Sequence, residues 1–595
     1  VIYEELFAKL ARTLKLMEGC MSTKTAMDKA QEWVKNPYFA PESRQEIQKL
    51  IDDNNTLELE ERFYKDLEFG TGGMRSILGQ GINRINIYTI RKATQALCTE
   101  VLAQKSNTPT MCISYDSRIM SFELAQVAAE VMAGNGIKAF IYEHLNPVAL
   151  LSFAIRYHKS MAGVMVTASH NPPEYNGFKV FWSDGSQVTP PNDQNIINNY
   201  NSLTDFSNIK RLSFKDGLKN GQIEWIKDEV ESAYFQAIYR SSIQPLMCKS
   251  EGPKLKIVYT PIHGAGLIPC SRALDDLGFT DVHIVQEQAA PDGRFPTVKS
   301  PNPENPSALK LAVDLLEKLN ADIVMGSDPD TDRLGVAIKD KGQIHYLTGN
   351  QIGILKLHYI LSELKNSNRL PKNSYMVKSI VTTPLLDTIA QSFGTEVFNT
   401  LTGFKWICGK MNELENSHPE KSFIFGTEES FGYLCHTHAR DKDGVSSVSQ
   451  MAEVALHYKL KDMTLLDALD KIYTEYGFSR EDLLSLDYFG IEGQEKISRI
   501  MTNFRNFSDN TLLGHKLTKI KDYSLGIEGL PKSNVLGFFF EDGNQVYLRP
   551  SGTEPKIKFY IMIQEKNGSL DDKKKNAEAK ANLFLDYLKS VAERA

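Results

Sequence analysis

One arrangement recurs three times along this chain and narrows the folds open to it: an apolar strand, a polar loop, a helix, a glycine and a second apolar strand. The first copy runs through residues 111–115, the loop 116–121, a helix through Ala133, Gly136 and residues 137–142. The second comprises residues 255–259, a loop through Gly266, a helix to Leu277, Gly278 and residues 282–285. The third comprises residues 375–381, a helix through Ala390, Gly394 and residues 395–398. Strands that alternate with helices form α/β units, in which helices cover both faces of a sheet and chemistry gathers at the strand-end loops. From about Gln494 the texture changes: residues 535–540, an Asp542-Gly543 hairpin turn, residues 545–548, then a closing helix over 571–591. That pattern suits a smaller α+β domain. The predicted fold is therefore α/β: three tandem α/β domains with mixed sheets and a smaller C-terminal α+β domain, arranged around a central cleft.

At roughly 100–200 residues per domain, 595 residues accommodate this division. The expected boundaries are a helical N-terminal extension over 1–55 and domains over 56–240, 241–348, 349–490 and 491–595. Within the extension, Leu6, Leu10, Leu14 and Met17 recur at helical spacing, and Ala26, Ala30, Trp33 and Val34 share one face before Pro37 breaks the pattern.

Composition removes several classes of function. Lys and Arg total 68 against 74 Asp and Glu, so no basic surplus offers itself to nucleic acid or to an anionic membrane. No apolar run approaches the roughly 20 residues that span a bilayer. The 7 cysteines are odd in number and never spaced as CxxC, which argues against a disulfide framework or a cysteine-rich zinc site. The N-terminus lacks a secretory layout, and Glu4, Glu5 and Glu18 argue against a transit peptide. A cytoplasmic location is expected. The sequence sets no oligomeric state.

Four polar clusters carry candidate chemistry. Thr167-Ala168-Ser169-His170-Asn171-Pro172-Pro173 follows an apolar strand and is too stiff to continue as helix. An isolated Ser-x-Asn is more often a plain turn, and no Gly-x-Ser-x-Gly elbow surrounds Ser169. His170, as its neighbour, is not expected to turn back easily onto it. With His170 and Lys179, Ser169 could attack phosphorus or accept a phosphoryl group. In Gly326-Ser327-Asp328-Pro329-Asp330-Thr331-Asp332-Arg333, three carboxylates supply hard oxygen ligands for Mg²⁺, with Arg333 suited to a phosphate oxygen. A calcium EF-hand fails there, because Arg333 stands where Gly is needed and Lys339 where Glu is needed. An acidic turn fits poorly too, since packed like charges repel unless a cation neutralises them. In Gly426-Thr427-Glu428-Glu429-Ser430, Glu428 and Ser430 suit sugar hydroxyls, though a surface loop is about as good an account of this cluster alone. Arg549-Pro550-Ser551-Gly552-Thr553-Glu554-Pro555-Lys556 offers hydroxyls, glycine-freed amides and two cations, a cradle for a phosphate dianion. No Walker loop or dinucleotide fingerprint is present. Together the clusters describe phosphoryl transfer on a phosphosugar.

These motifs, in this order, resemble the α-D-phosphohexomutases. Further matching strings are Phe69-Gly70-Thr71-Gly72-Gly73-Met74-Arg75, Tyr115-Asp116-Ser117-Arg118, Tyr259-Thr260-Pro261-Ile262-His263-Gly264 and Asp441-Lys442-Asp443-Gly444. Asn36-Pro37-Tyr38 and Glu429-Ser430-Phe431-Gly432-Tyr433 resemble the phosphoglucomutase-2 and bacterial long-chain branch most. The resemblance implies a phosphorylated Ser169, with Asp328, Asp330 and Asp332 joining its phosphate around Mg²⁺. It implies that Arg75 and Arg333 steady the transferring group, and that His170, Lys179 and Lys405 are the candidate proton handlers. Thr402, Gly403, Glu428 and Ser430 would hold the sugar, and Arg549, Ser551, Gly552, Thr553 and Lys556 its existing phosphate. Glucose 1,6-bisphosphate is implied as intermediate and activator, with closure of the last domain over it. The expected reaction interconverts glucose 1-phosphate and glucose 6-phosphate. Alternatives are a phosphopentomutase, a glucose 1,6-bisphosphate synthase, and a catalytically silent binding protein. The retained hydroxyl of Ser430 favours glucose over pentose.

Overall fold

The computed structural model describes residues 25–70, 72–551 and 555–594. The helix-prone stretch before Met21, and Gly552 and Thr553 of the phosphate cradle, lie outside them. The chain builds four sheets in succession, three of them mixed and the last antiparallel. The fold is α/β, as the alternation of strands and helices predicts.

In the first sheet, Ala162–Val166, Thr110–Tyr115, Lys138–Ile141 and Ile223–Trp225 run parallel in spatial order. Tyr175–Trp182 and Gly73–Ile77 extend it antiparallel. The second sheet repeats the plan, with Ile323–Ser327, Ile257–Thr260 and Val282–Ile284 parallel and the hairpin Leu334–Asp340/Gln343–Leu347 added on one side. In the third, Glu396–Thr400, Ser374–Ser379 and Ser422–Glu428 are parallel, and Gly432–Leu434 returns antiparallel. The central strands read as continuous apolar runs because helices cover both faces. Residues 162–166 are buried throughout, as are 257–260 and 323–327.

The last sheet is ordered Phe478–Asp487, Lys556–Glu565, Gln545–Pro550, Leu536–Phe540, His515–Asp522 and Thr511–Leu512. Strict alternation sets its two faces. Val546, Leu548, Ile557, Phe559 and Ile561 pack with Phe584 and Leu588 of the helix Leu570–Arg594. Tyr547, Tyr560 and Met562 turn the other way, onto Ile380, Val381 and Leu401 of the third unit. Phe478–Asp487 precedes residue 491 yet belongs to this sheet, pairing with Lys556–Glu565 along its whole length. Its sequence alternates poorly, so that partner strand rather than a local pattern assigns it.

At the start of the described chain, helices Ala26–Lys35, Pro41–Asp52 and Thr56–Phe63 continue past residue 55 and dock on Tyr88. Trp33 stacks on Phe39 with ring centroids 3.6 Å apart, and both meet Tyr88 edge-on. Each large apolar side chain so buried contributes about 1.5–3 kcal/mol. One apolar core runs through the first three units without interruption, from Met165 through Met325 to Met376 and Met451. The fourth unit keeps a core of its own. Among the described residues no helix is long and apolar enough to cross a membrane.

Candidate active site

The carboxyl ends of parallel strands converge on one place. Asp116 follows Thr110–Tyr115, Ser169 lies just past Ala162–Val166, Asp328 follows Ile323–Ser327, and Glu428 ends its strand. This is where open α/β sheets place their ligands.

Ser169 is held in a left-handed conformation, φ 51°, costly for a residue with a Cβ and sustained only by its surroundings. Its amide donates to Thr167 Oγ1 at 2.8 Å, and Thr167 Oγ1 donates to Asp116 Oδ2 at 2.6 Å. Arg118 reaches under the loop and donates to the carbonyl oxygens of Ser169, Asn171, Pro172 and Tyr175. The Ser169 hydroxyl donates to Asp328 Oδ2 at 2.8 Å and lies 3.1 Å from His170 Nδ1. That last contact corrects the sequence expectation that His170 would not easily turn back onto its neighbour. The positive φ swings both onto one side of the chain. Burial, then the charges of Arg333 and Arg75, push the His170 imidazole well below its ordinary pKa, so it is neutral.

Asp328, Asp330 and Asp332 bring one carboxylate oxygen each to within 4.8 Å of one another, all buried. Asp328 Oδ1 accepts from the amides of Asp332 and Arg333 at 2.9 and 3.0 Å, which folds the loop around it. Burial and the two other carboxylates push the Asp328 carboxyl well above its usual range. Burial would raise Asp332 too, but Lys442, Lys179 and Arg333 overcome it and hold that carboxyl well below. Lys179 Nζ lies 2.6 Å from Asp330 Oδ2 and 3.4 Å from Asp332 Oδ2; Lys442 Nζ lies 3.2 Å from Asp332 Oδ2. Burial works against the Lys179 charge, and the two carboxylates outweigh it, so the ammonium persists. Asp330 Oδ1 and Asp332 Oδ1 remain buried without a hydrogen-bond partner. Orphaned buried acceptors cost about 1–3 kcal/mol each, more for charged ones. An oxygen-seeking cation such as Mg²⁺ is the group that fits them.

Arg333 pairs with Glu304, and Arg75, exposed to the cleft, donates to Asn171 Oδ1 at 2.9 Å. On the third unit, Glu428 Oε1 accepts from the Gly403 amide at 2.6 Å, joining the two stretches expected to read sugar. Thr402 Oγ1 is buried without a partner, and Ser430 lies half-buried in the turn that follows Glu428. The Lys405 ammonium lies 4.8 Å from the Trp406 ring centroid; burial lowers its pKa, and the charge of Asp193 opposes that shift. On the fourth unit, the Ser551 amide donates to Lys556 O at 2.7 Å, while Lys556 Nζ lies 2.9 Å from Asp487 Oδ1. Arg549 pairs in register with Lys558. Burial lowers the Lys558 ammonium, and Glu429 across the boundary between units opposes that shift.

Several residues here had no role assigned by sequence reasoning: Thr167, Asp116 and Arg118 under Ser169, and Lys442, Glu304 and Lys558 around the cleft. Thr167, Asp116, Arg118 and Lys442 lie inside strings quoted above, so the signal was present as motif and absent as mechanism.

Comparison with known proteins follows this geometry. Family models for phosphoglucomutase/phosphomannomutase alpha/beta/alpha domains I, II and III match residues 66–206, 232–342 and 348–476. A phosphoglucomutase of Staphylococcus aureus (strain MSSA476) is 35% identical over 570 residues, covering 93% of this chain and 98% of its own. The chain belongs to the phosphoglucomutase/phosphomannomutase family. A Staphylococcus saprophyticus phosphoglucomutase is 34% identical over 513 residues, covering 84% of this chain and 91% of its own. Among solved structures, the open form of parafusin, a phosphoglucomutase from Paramecium, superposes with TM-score 0.66 at 17% identity, covering 89% of this chain and 96% of that one. A family protein from Burkholderia thailandensis gives TM-score 0.59 at 19% identity, covering 86% and 97%. At those identities the two structures speak for the family fold alone.

Proposed function

We infer that the chain is a phosphoglucomutase, interconverting glucose 1-phosphate and glucose 6-phosphate through a phosphorylated Ser169 and a glucose 1,6-bisphosphate intermediate. The observation that carries this reading is the Ser169 hydroxyl, 2.8 Å from Asp328 and 3.1 Å from His170, at the edge of a buried aspartate trio. The names of the similar Staphylococcus proteins support it.

Asp328, Asp330 and Asp332, with Ser169, would hold Mg²⁺. When bound, the ion supplies positive charge that offsets charge on the phosphoryl group in transfer. Ser169 Oγ receives and returns the phosphoryl group, and Arg118 and Thr167 fix where that oxygen stands. His170 Nδ1 is placed to take the hydroxyl proton; Lys179, already engaged by two carboxylates, is placed to neutralise charge beside it. Lys405, lowered by burial and set over the Trp406 ring, is the third candidate proton handler. Arg75 and Arg333 flank the transferring group. Thr402, Gly403, Glu428 and Ser430 read the sugar hydroxyls, and Arg549, Ser551, Gly552, Thr553 and Lys556 hold the phosphate already on the sugar. The bisphosphate turns over between these two sets. A cytoplasmic location is part of this reading, supported by described cysteines that are all free thiols.

The test is turnover of glucose 1-phosphate with Mg²⁺ and a trace of glucose 1,6-bisphosphate, coupled to glucose 6-phosphate oxidation. Ribose 1-phosphate is run beside it with a ribose 5-phosphate readout. Intact mass should show one phosphate, absent from Ser169→Ala, whose rate should fall to background. A Ser169→Ala protein that still turns over would displace Ser169 from its role. Faster turnover of the pentose would reassign the substrate.

A further inference from the structure

The loop 300–305 lies outside every motif quoted from the sequence, yet it touches both halves of the catalytic centre. Ser300 Oγ donates to the carbonyl oxygen of His170 at 2.6 Å, so one end grips the segment that carries Ser169. At the other end, Glu304 pairs with Arg333 at the close of the aspartate loop. Pro301, Pro303 and Pro306 fix φ along this stretch. Asn302 closes the turn between them: its side-chain oxygen accepts from the Glu304 amide at 3.1 Å, and its carbonyl accepts from the Asn305 amide at 3.0 Å. The strand Leu334–Asp340 runs hard against the loop, since a Cβ on Gly335 would stand 2.5 Å from Pro303 O. The backbone at Glu304 is therefore set by contacts that do not involve its carboxylate.

That carboxylate meets the guanidinium at Nη1. The Nε of Arg333 lies 3.8 Å from Asp332 Oδ1, and both atoms are buried without a hydrogen-bond partner. A guanidinium is a rigid plane of five donors, so fixing one nitrogen fixes where the others point. An ion pair made for stability alone gains most from a bidentate fork. Here one nitrogen goes to the carboxylate, and an unspent donor faces the aspartates that surround the Ser169 hydroxyl. Burial works against the Arg333 charge, and Glu304 leads the carboxylates that outweigh it.

We propose that Glu304 is a positioning residue for phosphoryl transfer: it holds Arg333 by Nη1 so that the Nε side addresses the phosphoryl group on Ser169. This rests on the phosphoserine reading given above. Glu304 acts through Arg333 and is not itself a catalytic residue. The same stiff loop holds the His170 carbonyl through Ser300, so arginine and nucleophile keep one spacing. A misplacement of about 1 Å at such a centre lowers a rate about 100-fold, which gives the brace its leverage.

The test follows phosphoryl uptake by the unphosphorylated full chain from glucose 1,6-bisphosphate with Mg²⁺. In that step the bond from Ser169 Oγ to phosphorus forms, a sugar oxygen–phosphorus bond breaks, and the hydroxyl proton ends on that sugar oxygen. Intact mass gives the rate against bisphosphate concentration for wild type, Glu304→Gln, Arg333→Ala and the double variant. Glu304→Gln should lower the maximal rate at least about tenfold and change the half-saturating concentration less than about twofold. In the Arg333→Ala background the same change should alter the rate less than about twofold, because the group it positions is gone. A Glu304→Gln rate equal to wild type overturns the proposal. So does an equal fall in both backgrounds, which would make Glu304 a general support of the fold. A wild type that takes up no phosphate overturns the phosphoserine reading itself, a result distinct from either. Melting temperatures check folding; should Glu304→Gln not fold, Glu304→Asp, which keeps the charge one methylene short of Arg333, is read by the same cycle.

Discussion

Replacing Arg118 by lysine should disable the enzyme from beneath the Ser169 loop. The Arg118 side chain is wholly buried, donates to Pro172 O and Tyr175 O at 2.9 Å and to Ser169 O at 2.5 Å, and also reaches Asn171 O. Its Nε lies 3.6 Å from Asp116 Oδ2, and its guanidinium lies 5.0 Å from the Phe295 ring centroid. A lysine keeps the charge yet has no planar fork, so it cannot satisfy four carbonyl oxygens spread over two nitrogens. Each orphaned acceptor costs about 1–3 kcal/mol, and more than one of the four carbonyl oxygens loses its donor. These costs overlap, since the loop relaxes and water enters, so about 3–5 kcal/mol is expected for the whole change. Part of that loss falls on the φ 51° conformation of Ser169, which those bonds sustain. A displacement of the nucleophile by about 1 Å lowers the rate about 100-fold. Urea denaturation and steady-state kinetics together provide the assay, with a lower midpoint and a fall in kcat that exceeds any change in KM. Arg118→Lys with a wild-type midpoint and kcat within about threefold of wild type would refute this account, because catalysis would then not depend on how the loop is held.

Asp330→Asn should raise the Mg²⁺ concentration needed for half-maximal activity, read from a metal titration of the rate; an unchanged titration removes Asp330 from the ligand set. Gly444→Ala would set a Cβ 2.4 Å from Thr331 O, so it should cost about 1–3 kcal/mol in denaturation and lower kcat by moving the aspartate loop. Wild-type values for both would mean that this close approach is not required. Burial and the neighbouring Glu428 push the Glu429 carboxyl from 4.5 up to about 7. The folded protein then keeps a proton that the unfolded chain has released, so this group makes stability fall as pH rises from 4.5 to about 7, and level off above. Glu429→Gln should remove that decline from a pH series of denaturation midpoints; an identical series would show that the carboxyl titrates normally.

The fold was legible wherever local pattern and final pairing agree. The central strands announce themselves as apolar runs because helices cover both faces, and the Asp542-Gly543 turn joins the hairpin it suggests, with Gly543 at φ 88°. Phe478–Asp487 was not legible, because what makes it a strand is Lys556–Glu565, far along the chain. The site divides along the same line. Ser169 and the three aspartates stand out because their residue types imply chemistry. The meeting of Ser169 with His170 needs a left-handed backbone that no rule of composition assigns to serine. Lys442 and Glu304 act only through partners more than 25 residues away, Asp332 and Arg333, so their use is a property of tertiary structure.

The unbroken core of the first three units constrains how the protein can breathe. Sheets that share one continuous interior cannot part from each other without wetting it, so nucleophile, aspartates and sugar-reading turn form a fixed anvil. The final sheet has its own interior and leans on the rest through a patch of tyrosines, a methionine and a few aliphatics. Of the four units, it is the one that can shift against the rest while keeping its own core closed, and it carries Arg549 and Lys556.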